Sequence, residues 1–200
     1  MQTENSVLMQ NARESLNGKW GVAVGVSVIY LLIVGSIGII PIVGSLASLF
    51  IAGHFAVGLS TFSLAISRNQ DARIEQLFLG FNNYVTILGA YLLMILYILL
   101  WALLLIIPGI IAALSYSMTF YILADDDTIK AQEALDKSKK MMDGYKWKYF
   151  CLGLRFIGWA LLCLLTLGIG FFWLVPYIHV SVAKFYDDIK DKQPTTPDLA

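Results

Sequence analysis

Residues 76–124 read QLFLGFNNYVTILGAYLLMILYILLWALLLIIPGIIAALSYSMTFYILA, without one Lys, Arg, Asp or Glu. Trp20–Ser67 and Phe156–Ala183 are likewise free of formal charge. A bilayer core is about 30 Å thick and takes about 20 helical residues to cross, so blocks of roughly 30–50 residues read as helical hairpins. Three hairpins give an all-α, polytopic membrane protein with six transmembrane helices. Each block carries a Gly/Pro break near its middle: Pro41 after Gly38-Ile39-Ile40, Pro108-Gly109, and Gly168-Ile169-Gly170. The far side of the membrane then sees only tight, uncharged turns. Every Lys and Arg falls on the other face, which the positive-inside rule makes cytoplasmic, with both termini inside.

The composition agrees. The chain of 200 residues is 58% hydrophobic and 14% charged, whereas soluble domains carry about 25% charged residues. No room is left for a separate soluble domain, and residues 1–200 read as a single membrane domain. The first apolar run is a full span with no small-residue cleavage site behind it, so no removable signal peptide is expected. Zero net charge excludes nucleic acid as a partner. Cys151 and Cys163 lie twelve residues apart on one predicted helix. That is about 18 Å, too far for a disulfide, and packing thiols are expected.

The three blocks share an order: a cytoplasmic amphipathic segment, a Gly followed by an aromatic, an apolar span, a turn and a returning span. The junctions are Leu16-Asn17-Gly18-Lys19-Trp20, Leu79-Gly80-Phe81-Asn82-Asn83-Tyr84 and Asp143-Gly144-Tyr145-Lys146-Trp147, with 62 residues from Gly18 to Gly80 and 64 from Gly80 to Gly144. Units at about 5–67, 70–126 and 128–188 start and end on one side, so they are parallel copies around an axis along the membrane normal, a pseudo-threefold repeat. Residues 189–200 read as a flexible cytoplasmic tail.

The segments ahead of each hairpin have helical periodicity. Leu8, Ala12 and Leu16 make one stripe; Ile74, Leu77, Phe78 and Phe81 a second; Ala131, Leu135, Ser138, Met142 and Tyr145 a third, with Lys137, Lys139 and Lys140 off it. They read as interfacial helices on the inner leaflet, with Trp20, Tyr84, Trp147 and Tyr149 at headgroup depth. The third is the most basic, and either attraction to anionic lipid or a solvated helix face accounts for its lysines. Asp125-Asp126-Asp127 ahead of it reads as N-terminal capping rather than a metal site. Gly21 and Gly25, and Ala52, Ala56 and Ser60, present small faces for helix contact, within the chain or in a homo-oligomer. Spans four and six, Gly109–Ala124 and Phe171–Tyr186, are short at about 24 Å each, and Pro176 is expected to bend the latter.

Polar groups at membrane depth are candidate functional residues. His54, Tyr116 and His179 sit in the three returning spans at separations of 62 and 63 residues, so in the repeat they form a polar ring at one depth. Such a ring lines a small central cavity for a solute or proton, or else hydrogen-bonds inside a packed bundle. Arg155, about two turns beyond Trp147, snorkels to the cytoplasmic face, pairs with Asp125, Asp126 or Asp187, or coordinates an anion at the cavity mouth. Lys184 is expected to snorkel. No HExxH, GxSxG, P-loop or Cys/His metal spacing is present, and no nucleophile has a base nearby. No catalytic residue, cofactor or metal is assigned.

Ala12-Arg13 through Gly18-Lys19-Trp20, Leu77-Phe78-Leu79-Gly80-Phe81, and Ile106-Ile107-Pro108-Gly109-Ile110-Ile111 are joined by Tyr116-Ser117-Met118 and Tyr121-Ile122-Leu123-Ala124-Asp125. With Ser138, Met141-Met142, Gly144 and Pro176-Tyr177 they resemble the bacterial integral membrane family called domain of unknown function 975. The chain is also distantly similar to the membrane portion fused to some glycerophosphodiester phosphodiesterases, whose catalytic domain is absent here. The resemblance implies a six-helix protein of the bacterial plasma membrane and transfers no functional residue. The expected function is a non-enzymatic membrane module that binds lipid or a membrane protein partner. The alternative is a small solute or ion transporter or channel with its cavity at His54, Tyr116 and His179 and Arg155 at the mouth.

Overall fold

The structure is a computed structural model that describes residues 3–38 and 43–192. Its helices are α1 Asn5–Leu16, α2 Trp20–Gly38, α3 Val43–Ser67, a 3-10 helix Ile74–Phe81, α4 Tyr84–Leu104, α5 Ile106–Tyr116, α6 Thr119–Asp125, α7 Ala131–Met141, α8 Lys146–Leu165 and α9 Phe171–Lys190. No strand occurs among the described residues. The all-helical expectation therefore holds.

Among the described residues, four stretches are long and apolar enough to cross a membrane: Leu49–Ser67 of α3, α4, Ile106–Asp125 across α5 and α6, and α8. A fifth is reached by α1 with Trp20–Ile33 of α2, which bend by 99° at their junction. Two of these helices face outward. Only 11% of α4 and 17% of α8 is buried inside the molecule, against 67% of α3, so α4 and α8 turn their leucines to the surroundings while α3 runs through the centre. Leu99, Leu103, Trp159 and Leu165 are all more than half exposed or close to it. Apolar surface on that scale is stable only against lipid. This is a helical membrane protein.

Two cores meet at α3. One joins α1, α2, α3 and the 3-10 helix through Leu16, Val26, Phe62 and Leu77; the other joins α4 to α9 through Ile87, Ile122, Leu135 and Phe185. The stripe Leu8, Ala12, Leu16 is buried as its spacing predicts. After it, Gly18 at φ 78 takes the left-handed conformation that lets α2 leave at a steep angle. Gly144, at φ 75, takes the same left-handed conformation between α7 and α8.

Several expectations are corrected. The second hairpin breaks at Leu105, which is extended (φ −161, ψ 147), and Pro108 and Gly109 lie in the first turn of α5. A proline there lacks only an N–H that has no intrahelical partner anyway. Gly109 instead lets α5 close on α4, since a Cβ would stand 2.8 Å from Ala102. The return thus starts earlier than Gly109, and it is interrupted at Ser117–Met118. Ser138 of α7 repairs that interruption, donating to the Ser115 carbonyl (2.9 Å) and accepting from the Met118 N–H (3.2 Å). The last helix passes through Pro176 and ends at Lys190 rather than Tyr186, so residues 189 and 190 belong to it, with Ile189 buried.

The second interfacial segment is a 3-10 helix seated on α3. Gly58 and Gly80 make that seat: a Cβ on the first would stand 1.9 Å from the Leu77 carbonyl oxygen, and on the second 2.1 Å from that of His54. Gly21 and Gly25, by contrast, have open space where a Cβ would go. The third break, Thr166–Gly170, lies as expected, with Leu167 and Gly168 at positive φ. The first, at Pro41, lies outside the described residues.

Candidate functional site

Ion pairs tie together the ends of α3, α6 and α9. Arg68, just past α3, reaches Asp125 at the end of α6 (2.6 Å) and Asp187 of α9 (2.9 Å). Lys190 also pairs with Asp125, and Tyr186 donates to it (3.0 Å). The Lys184 ammonium donates to the Ser67 carbonyl at the C-terminus of α3, where the helix dipole favours a cation. Beside this cluster, Lys148 of α8 pairs with Asp188 of α9 (2.9 Å), and Lys192 and Thr3 bond the same carboxylate. Burial raises the Asp188 pKa, but hydrogen bonds from Lys148, Lys192 and Thr3 outweigh it and hold the carboxyl below its ordinary value. Asn5 donates to the Lys148 carbonyl (2.9 Å) and Tyr177 to that of Met9 (3.2 Å), which fastens α1 to α8 and α9.

The aspartates ahead of α7 do not cap it. The residue before α7 is Lys130, which makes no side-chain cap bond. Asp125 belongs to the ionic cluster, Asp126 accepts from the Thr128 hydroxyl (2.7 Å) and N–H (3.0 Å), and the Asp127 carbonyl accepts from Asn83 (2.5 Å). The Thr128 bonds hold the Asp126 carboxyl below its usual range.

Where α1 lies against α8 and α9, a cleft of about 820 Å³ opens, lined by Ser6, Met9, Gln10, Arg13, Glu14, Asn17, Trp20, Arg155 and Tyr177. Arg13, Trp20 and Tyr177 also line a second, apolar cavity of about 410 Å³. That cavity follows Trp159, Leu162 and Cys163 of α8 and Trp173 and Leu174 of α9 down to Thr166 and Gly170 in the turn. The two adjoin at these three shared residues, one polar beside α1 and the other aromatic beyond. Neither Arg13 nor Arg155 has a hydrogen bond or ion pair among the described residues. Arg155 therefore does not pair with Asp125 or Asp187, which Arg68 occupies, nor with Asp126.

The other candidates lie apart. His54 is fully buried in α3, stacked between Phe81 (5.1 Å) and Tyr84 (4.3 Å), and its Nε2–H donates to the Tyr84 carbonyl (3.1 Å). Tyr116 stacks on Tyr97 (5.8 Å) beside a pocket of about 260 Å³ lined by Trp101, Pro108 and Lys139 among others. The carbonyl of His179 accepts from the Tyr121 hydroxyl (3.2 Å). No described cavity takes in two of the three. Sequence reasoning missed Arg13 and Arg68: each looks like an ordinary surface charge, and their neighbours lie far along the chain.

No curated protein and no solved structure matches the chain. A family model does, over residues 1–115 and again over 103–193, and the residues that suggested the resemblance fall inside those matches. The chain belongs to the family described as Protein of unknown function (DUF975).

Proposed function

We propose that this is a non-catalytic membrane module that binds anionic lipid through its charged, membrane-parallel segments. Its six spans form three hairpins in a parallel pseudo-threefold repeat, in a bacterial plasma membrane with both termini in the cytoplasm. The observation that carries the reading is the disposition of α7. It buries Ala134, Leu135, Ser138 and Met141 against the bundle and leaves Lys137, Lys139 and Lys140 exposed. Lysines held in that way beside a leaflet each contribute about 1 kcal/mol of attraction to anionic headgroups. Transport through His54, Tyr116 and His179 is the weaker reading, because aromatic rings fill the space on both faces of His54.

Extraction of the chain with its surrounding lipid in a polymer nanodisc, followed by lipid mass spectrometry, tests the proposal. Anionic phospholipid is expected to be enriched over the bulk membrane, and Lys137→Gln/Lys139→Gln/Lys140→Gln to reduce the enrichment about two- to tenfold. A lipid shell identical to bulk would overturn it.

A further inference from the structure

We infer that the groove between α1, α8 and α9 holds one anionic phospholipid, its phosphodiester between Arg13 and Arg155 and an acyl chain along Trp159, Leu162 and Trp173. This rests on the lipid-binding reading above and gives it a specific site.

Charge is the first argument. Among the described residues, Arg13, Arg155 and Glu14 are the formally charged ones lining the polar cleft, a balance of one positive charge. Glu14 already accepts from Gln10 Nε2 (3.0 Å), and both guanidiniums lack a counter-ion among the described residues. A phosphodiester carries one negative charge and offers two oxygens to the fork of an arginine. Depth is the second. Arg155 lies midway along α8, the helix of which only 17% is buried inside the molecule. A charge that far along a lipid-facing helix is costly without a neutralising partner.

Shape is the third. The apolar cavity starts at Arg13 and reaches the turn between α8 and α9, so it runs from the charged end of the bundle toward the uncharged one. Its volume of about 410 Å³ falls within the usual ~300–1,000 Å³ of small-ligand pockets. A free anion leaves that aromatic half empty, whereas a lipid fills both halves at once. Basic pockets between membrane helices hold lipid headgroups in this manner.

The test is native mass spectrometry of the delipidated full chain, titrated with dioleoyl phosphatidylglycerol, dioleoyl phosphatidylcholine and glycerol 1-phosphate. Phosphatidylglycerol should bind at least tenfold tighter than the other two. Arg13→Gln/Arg155→Gln should lose that preference. Arg155→Lys, which keeps the charge and drops the fork, should lose part of it, and serves where the double variant does not fold. Leu162→Trp, which fills the apolar half and leaves both arginines, should weaken phosphatidylglycerol alone.

Glycerol 1-phosphate binding as tightly as the lipid would overturn the proposal in favour of a free anion. A tenfold rise in lipid binding on truncation after Lys192 would assign the cleft to the chain's own terminus. A dimer that the double variant dissociates would assign it to a second copy. If the double variant binds phosphatidylglycerol as wild type does while Lys137→Gln/Lys139→Gln/Lys140→Gln does not, the site falls and the general lipid reading stands. If wild type shows no lipid preference, both fall.

Discussion

Gly58 and Gly80 mark where backbone meets backbone without side chains between. A methyl group on Gly58 would lie 1.9 Å from the Leu77 carbonyl oxygen, which no rotamer change relieves. Gly58→Ala should therefore lower the thermal midpoint in detergent, at a cost of about 1–3 kcal/mol or more. Gly153→Ala on α8, where nothing lies within 4 Å, should leave the midpoint unchanged or raise it, by about 1 kcal/mol at most. Equal effects from the two would contradict the seat of the 3-10 helix on α3. Asp188 sets a pH response. Its folded pKa is depressed by Lys148, Lys192 and Thr3, so its contribution is present above the unfolded carboxylate pKa of about 3.9 and fades as pH falls through the folded value. The difference in melting midpoint between wild type and Asp188→Asn should be constant from about pH 7 to 5 and shrink below about pH 4.

Among the elements, α7 has the most specific duty. Ser138 is fully buried and supplies both partners that the break between α5 and α6 leaves open, the Ser115 carbonyl and the Met118 N–H. Ser138→Ala orphans both and should cost about 1–3 kcal/mol, read as a lower melting midpoint. Ser138→Thr keeps the hydroxyl and isolates the added methyl. The helical stripes of α1 and α7 were legible in the sequence because a buried face imposes its period on residues three and four apart. The break at Leu105 was not, because Pro108 punctuates a helix most strongly in its interior and is harmless in its first turn. Nor was the 3-10 seat, which depends on two glycines in separate elements. Arg155 was singled out from sequence by its depth alone. Its neighbour in the cleft, Arg13, lies on the other side of nearly the whole chain, and periodicity carries no information across that distance.

At the scale of the molecule, ion pairs gather the ends of α3, α6 and α9 and the start of α8 at one end of the bundle. The opposite turn, with Leu167 at 94% exposure, carries no charge. In a chain with Cys151 and Cys163 replaced by Ser, a cysteine at Lys19, Lys139 or Lys192 should react with a membrane-impermeant thiol reagent only in inverted vesicles. A cysteine at Leu167 should react only in intact cells. Labelling of Lys19→Cys and Lys192→Cys from opposite sides would refute the proposed topology. The charge distribution was legible because uncharged blocks of that length are read as membrane segments, while the side chains that lock the ends together met only on folding.

The fastening of α1 bears on how the chain is made. Its anchors, Lys148, Asp188 and Tyr177, are synthesised long after α1 itself. A nascent chain that has inserted α2 and α3 can rest Ala12 and Leu16 on the first core, but has nothing yet to receive Thr3, Asn5 or the Met9 carbonyl. The opening segment must wait, half seated, for the last helix to be delivered. Assembly thus finishes on a segment made long before its partners, and a ribosome stalled before α9 would leave α1 unlatched and exposed.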